Sequence, residues 1–208
     1  MQYSQSVSVS PIAGNSQIDL RASRDASDAA LVEAIAGGDK NALQVLYRRH
    51  HVKVYRFALR FIRDEAAAED VVSEVFIDVW RQAGRFECRS QVSTWLLAIT
   101  RNKALSALRR RAETQLDEEV AEFIEDTADN PEVAMQKQER SAILRSCLEQ
   151  LSPAHREIID LVYYHEKSID EVAEVIGVPA NTVKTRMFYA RKRIGEMMAS
   201  QGLERATI

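Results

Sequence analysis

Between Glu113 and Glu132 the chain carries nine carboxylates and no basic residue (Glu113, Asp117, Glu118, Glu119, Glu122, Glu125, Asp126, Asp129 and Glu132). Like charges at that density repel one another and stay solvated, so the run reads as a linker rather than part of a core. The chain must then build a separate core on each side of it. The formal net charge of the 208 residues is -3, but without the run 28 basic residues face 22 acidic ones, a net of +6. The charge pattern therefore predicts two basic modules joined by a flexible acidic segment.

Only seven Gly and four Pro accompany many Ala, Leu, Glu and Arg residues, which favours helices. The expected fold class is all-α, with two small helical domains. No apolar run approaches the ~20 residues that span a bilayer, and the N-terminus "MQYSQSVSVSPIAGNSQ" lacks the basic start and apolar core of a signal peptide. The expectation is a cytoplasmic protein with no membrane insertion. Cys88 and Cys147 stand far apart, with no CxxC and no paired histidines, so neither a zinc site nor any other metal site is expected. Each thiol reads first as a small core residue and only second as a redox group. His50, His51, His155 and His165 show no spacing of a triad or metal cluster, so no cofactor, small-molecule substrate or enzymatic activity is expected.

Residues 1–26 are rich in Ser and Gln, without periodicity, and read as a disordered tail. Helical signals begin at "SDAALVEAIAGGD", with Ser27 as N-cap and Gly37-Gly38 as stop. Asp39 can cap a second helix carrying Leu43, Leu46, Tyr47, Val54, Phe57, Ala58 and Phe61 at three-and-four spacing. A third helix is predicted over about Glu65 to Gln82 and a fourth over about Ser93 to Arg111. The domains expected are a helical bundle at 27–112, the linker at 113–134, a second helical unit at 135–199 and a tail at 200–208.

In the second unit, "SIDEVAEVIGVPANTVKTRMFYARKRI" places Ile169, Val172, Ala173 and Ile176 on one face of a helix capped by Ser168. Gly177 ends it, Pro179 bars continuation, and Asn181 or Thr182 can start the next. Two helices joined by a short Gly-containing turn match a helix-turn-helix. Val183, Met187, Ala190 and Ile194 form the buried stripe of the second helix. The opposite face then shows Asn181, Thr185, Phe188, Tyr189 and Lys192, flanked by Lys184, Arg186, Arg191 and Arg193. A merely solvated helix would mix acids with bases, yet no acid occurs from Ala180 to Ile194. Short polar groups for base edges beside Lys and Arg for phosphates suit a helix in the major groove.

The first unit is more ambiguous. Val72, Val75, Phe76 and Val79 build an inward stripe, while Asp70, Glu74 and Asp78 repeat at i,i+4 on another face. Like charges at that spacing cost ~0.2–0.5 kcal/mol per pair. The face is either a tolerated acidic surface or a dock for a basic partner. Next, a loop with Arg85, Phe86 and Arg89 leads into a helix with Trp95, then Asn102 two turns on, then Arg109, Arg110 and Arg111. Rings, guanidinium groups and an amide suit unstacked single-stranded bases. Equally, Phe86 and Trp95 can be core residues beneath solvated arginines.

The ordered set "ALQVLYRRHH", "AEDVVSEVFIDVWR", "STWLLAITRN", "LRRR", "LEQLSPAHREIIDLVYY" and "SIDEVAEVIGVPANTVKTR" resembles the extracytoplasmic-function group of bacterial sigma factors, within the sigma-70 family, from about Asp28 to Met198. The resemblance implies that the first unit is sigma region 2 and the second is region 4. Asp70, Glu74, Asp78 and Trp80 would dock on core RNA polymerase. Arg85, Phe86, Arg89, Trp95, Asn102, Arg109 and Arg110 would engage the minus-ten element and an unstacked base. Asn181, Thr182, Lys184, Thr185, Arg186, Phe188, Tyr189 and Lys192 would face the minus-thirty-five element. Three positions depart from the family's common residues: Ser73 stands where Gln is frequent, Asn181 where Gly is, and Tyr189 where Arg is. The implied function is promoter-directed transcription initiation with strand opening, in a stress or envelope response, with a separate anti-sigma factor as regulator. The rival readings are an ordinary helix-turn-helix regulator with a sensing or dimerising domain, and an adaptor that uses the bundle for protein contacts.

Overall fold

The computed structural model describes residues 26–114 and 143–200, and every regular element among them is helical. In the first unit α1 spans Asp28–Ala36, α2 Lys40–Ile62, α3 Glu65–Gln82 and α4 Val92–Thr114, with a 3-10 turn at Ala83–Arg85 before α4. In the second unit, residues 143–149 are helical. They are followed by α5 at Pro153–Tyr163, α6 at Ile169–Ile176 and α7 at Ala180–Ser200. Most of the acidic run, 115–132, and the first 25 residues lie outside the described residues. The expectations of a flexible linker and a disordered tail fall there. The fourth helix continues through Thr114, two residues past the boundary expected at 112.

Local chemistry sets where these helices begin and end. Ser27 accepts from Ala30 N, Asp39 from Asn41 N and Ala42 N, and Asp64 from Ala67 N, so α1, α2 and α3 each start on a side-chain cap. Ser152 caps α5 through His155 N, with Pro153 at the first position, where its missing N–H is of no consequence. α2 stops at Arg63 in the left-handed region (φ 54°), and α6 stops at Gly177 (φ 75°). Gly177, Val178 and Pro179 make the turn. α7 then starts at Ala180, ahead of the Asn181 or Thr182 expected, because the Pro179 carbonyl accepts from Thr182 N and Val183 N. No side-chain cap is needed there.

The first core gathers Leu31, Val32 and Ile35 of α1 with Leu46, Val54 and Ala58 of α2. Val71, Val75 and Val79 of α3 and Leu96 and Ala104 of α4 complete it. The second gathers Cys147, Leu151, Ile158, Leu161, Val172, Val175, Val183, Met187, Ala190, Ile194 and Met197. Phe57 of α2 and Leu97 of α4 belong to this second cluster although they come from the first unit. The two units are thus packed together, where the sequence reading treats them as separately tethered. The reason is that Phe57 and Leu97 point away from their own bundle, and periodicity cannot say which core an apolar residue joins.

Arg156 completes the second unit. Its guanidinium donates to the carbonyls of Leu148 (3.0 Å), Leu151 (3.1 Å) and Glu149, at the end of the 143–149 helix. The Leu148 carbonyl also accepts from Leu151 N at 3.3 Å, and the Arg156 side chain adds donors to a helix end whose last carbonyls lack a full set of intrahelical partners.

Candidate nucleic-acid and polymerase interface

α7 presents its expected faces. Val183, Met187, Ala190 and Ile194 are buried, while Asn181, Lys184, Thr185, Phe188, Tyr189 and Lys192 are exposed and Thr182 and Arg186 are half-buried. Phe188 is 62% and Tyr189 54% exposed, their rings 5.5 Å apart and edge to face. Two aromatics this bare on a basic helix are a surface that water alone does not favour. The Thr185 hydroxyl donates to the Asn181 carbonyl at 2.9 Å, which leaves its methyl group and a lone pair outward. Tyr189 and Lys192 also line a shallow groove with Ser152, His155 and Arg193, so the exposed face of α7 continues onto the start of α5.

α4 carries the second set. Phe86 and Trp95 lie 4.8 Å apart and pack against the first core, both half-buried. Both rings are therefore partly core residues, with the remainder of each left accessible. Asn102 is exposed two turns farther along, in a shallow groove with Ser106 and Arg109. Arg109 donates to Ser106 (3.1 Å), and Arg85 and Arg89 extend from the 3-10 turn and the loop, Arg89 against Glu87 at 2.6 Å. In that loop Cys88 adopts φ 53° and is exposed, whereas Cys147 is fully buried, as a small core residue would be.

On α3, Asp70 is exposed and Trp80 is 37% exposed, next to Ile77 at 49%. Glu74 and Asp78 are half-buried and face inward to α4. Lys103 Nζ lies 2.8 Å from Asp78 and 3.5 Å from Glu74, and Arg110 lies 3.4 Å from Glu74. The hydrogen bond to Asp78 raises the Lys103 ammonium above its ordinary range, with burial opposing it. The acidic stripe is therefore not a uniform dock. Asp70 is exposed to solvent, while Asp78 is paired within the bundle. Among the described residues no cluster of His, Cys, Asp and Glu could hold a metal ion. No described helix is long and apolar enough to cross a membrane.

Sequence reasoning missed the contact between the units. Thr94, fully buried, donates to Glu171 Oε1 at 2.6 Å. Lys167, only 4% exposed in its side chain, donates to Ser93 Oγ (2.7 Å), Glu171 Oε1 (3.0 Å) and Gln91 Oε1 (3.4 Å). Glu171 Oε2 meanwhile accepts from Ser168 N and closes the capping box of α6. Burial alone would raise the Glu171 carboxyl, but the hydrogen bonds from Thr94, the Ser168 backbone and Lys167 hold it down at about 2. Nearby, Arg101 Nε meets Glu157 at 2.5 Å and Arg60 Nε lies 2.8 Å from the buried Asp160. Only the capping box, Ser168 with Glu171 three residues on, was visible as a local signal.

A basic, exposed second helix behind a Gly-Val-Pro turn defines a helix-turn-helix DNA-binding module, here carried beside a separate helical bundle. Comparison with known proteins places both parts. Residues 46–114 match the family model of sigma-70 region 2, and residues 141–194 match that of sigma-70 region 4. The RNA polymerase sigma-H factor of Pseudomonas aeruginosa is 33% identical over 180 residues, covering 82% of this chain and 93% of that one. The ECF RNA polymerase sigma factor SigM of Mycobacterium tuberculosis is 32% identical, covering 83% and 85%. Among solved structures, the sigma factor RpoE of Bartonella quintana, in complex with the anti-sigma factor NepR, is 27% identical with a TM-score of 0.57 over 76% of this chain and 96% of that one. The chain belongs to the extracytoplasmic-function sigma factors of the sigma-70 family.

Proposed function

We propose that this sigma factor acts as a cytoplasmic promoter-specificity subunit without chemistry of its own. It docks on core RNA polymerase through the exposed Asp70 and Trp80 of α3, beside the partly exposed Glu74. It captures an unstacked minus-ten base between the Phe86–Trp95 edge and Asn102, and it reads the minus-thirty-five element with α7. The observation that carries this reading is the α7 surface, where Asn181, Thr185, Phe188, Tyr189 and Lys192 lie exposed with no acid among them. Arg85 and Arg89 near the aromatic pair, and Arg109 and Arg110 farther along α4, supply phosphate contacts. A separate anti-sigma factor holds the protein, by analogy with the relative solved with NepR, and the response served is one of stress or the envelope.

Co-purification with core polymerase followed by run-off transcription tests the reading. The expected result is promoter-dependent transcript from core plus this chain and none from core alone. Tight, sequence-specific duplex binding by the chain without any effect on core would instead mark an ordinary helix-turn-helix regulator.

A further inference from the structure

Among the described residues, α2 is the one helix of α1–α7 that carries neither Asp nor Glu. Its 23 residues hold Lys40, Arg48, Arg49, Lys53, Arg56 and Arg60. At about 100° per residue, Arg48, Val52, Lys53, Arg56 and Arg60 fall within about 140° of one another, and all five are exposed. Arg49–Lys53, Lys53–Arg56 and Arg56–Arg60 are like-charged neighbours three or four residues apart, an arrangement that destabilises a helix by itself.

The fold leaves much of this charge unused. Packed against α2, α3 offers Glu65, Glu69, Asp70, Glu74 and Asp78, yet Glu74 and Asp78 turn to cations of α4. On α2 itself Arg49 pairs with Asp28 and Arg60 with Asp160. Arg48, Lys53 and Arg56 enter no ion pair among the described residues. Past Arg60 the field stays positive. Burial first, then the nearby Arg63 and Arg60, push the Arg156 guanidinium below its ordinary range, with Glu149 opposing them.

Three unpaired cations thus face solvent, with ~12 Å from Arg48 to Arg56 at ~1.5 Å per residue. A stable protein interface has an apolar centre, and Val52 is the one large apolar side chain exposed on this stripe. Interfaces with nucleic acid are instead polar and strongly cationic, and guanidinium forks match phosphate oxygens. No Asn, Gln, Ser or Thr occurs from Arg48 to Arg60, so the stripe lacks the short polar groups that α7 presents.

We propose that Arg48, Lys53 and Arg56 form a third DNA contact, which grips the phosphate backbone of duplex outside both promoter elements and carries no base preference. The reading above leaves α2 without a ligand, and this contact rests on that reading only for its place in a promoter complex. It adds affinity to every promoter alike, while selection stays with α4 and α7.

The full chain is titrated by fluorescence anisotropy against a labelled duplex of scrambled sequence, lacking both elements, over a series of KCl concentrations. R48Q/K53Q/R56Q should bind more weakly and reduce the slope of log affinity against log salt by about 2.7, three phosphates at ~0.9 each. R48K/R56K keeps the charge and should keep the slope, and circular dichroism should show undiminished helix in both variants. With core present, the triple substitution should weaken binding to two promoters of different sequence by the same factor. An unaltered slope makes the stripe a solvated surface and overturns the contact. An unaltered slope with lost affinity for core marks a protein dock and overturns it equally. Unequal factors at the two promoters overturn the absence of base preference. If the slope falls as expected but core with the wild-type chain yields no run-off transcript, the contact stands and the sigma reading fails.

Discussion

Lys103 and Asp78 meet at 2.8 Å across the α3–α4 seam, with Glu74 3.5 Å from the same ammonium. The pair splits an acidic stripe that looks continuous in sequence. Asp78→Asn should cost about 1 kcal/mol of stability after allowance for solvent screening, and leave core affinity unchanged in the folded fraction. Asp70→Lys should do the reverse: it reverses the charge of an exposed residue and should weaken core binding with no loss of melting temperature. Thermal melts beside pull-down titrations against core separate the two.

Asn102→Ala should impair strand opening and spare core binding, since an amide aimed at a splayed base contributes only after melting. A loss of ~1.4 kcal/mol, about tenfold in open-complex formation, is the scale of one hydrogen bond. Permanganate footprinting and core titration should diverge. Equal losses in both would make Asn102 a structural residue.

Lys184→Ala should weaken minus-thirty-five binding on every sequence and reduce the salt slope by about one unit, as a lost phosphate contact does. Tyr189→Arg should instead change base preference, read by binding to a library of element variants. An unchanged preference places Tyr189 outside the readout.

Acid should weaken the fold through two named carboxyls. Hydrogen bonding from His50, with burial opposing it and Arg49 assisting, holds Asp28 at about 2 against an ordinary 3.8, and Glu171 sits at about 2 against 4.5. Both are depressed in the folded chain, so the unfolded chain takes up protons first as pH falls. The stability they supply is complete above about pH 4.5 and is lost as pH falls to about 2. Glu171→Gln should flatten part of that slope in urea melts between those limits. An unaltered slope would mean Glu171 carries none of it.

Much of the helical order was legible because its signals are local. Ser27, Asp39 and Ser168 cap where expected, Gly37-Gly38 and Gly177 stop where expected, and the Val183–Met187–Ala190–Ile194 stripe is buried as its spacing requires. What failed to show depends on contacts distant in sequence. Phe57 reads as one more apolar position of α2, and nothing in its neighbours reveals that it packs under the second unit. Thr94 sits in an ordinary first turn, and Lys167 looks like a loop cation until Gln91, Ser93 and Glu171 close round it. Arg156 likewise resembles a surface arginine, though it binds three carbonyls. The candidate site was visible as residue types on faces, while the division of Asp70, Glu74 and Asp78 between surface and bundle needed α4 in place.

Phe57 and Leu97, carried by one unit and buried in the core of the other, also give the closed chain a thermal character. Separating the units wets both side chains, and hydrating apolar surface raises heat capacity. The apolar share of the closing force therefore fades on cooling. A chilled cell would shift this share of the balance toward the open form, with no other molecule involved.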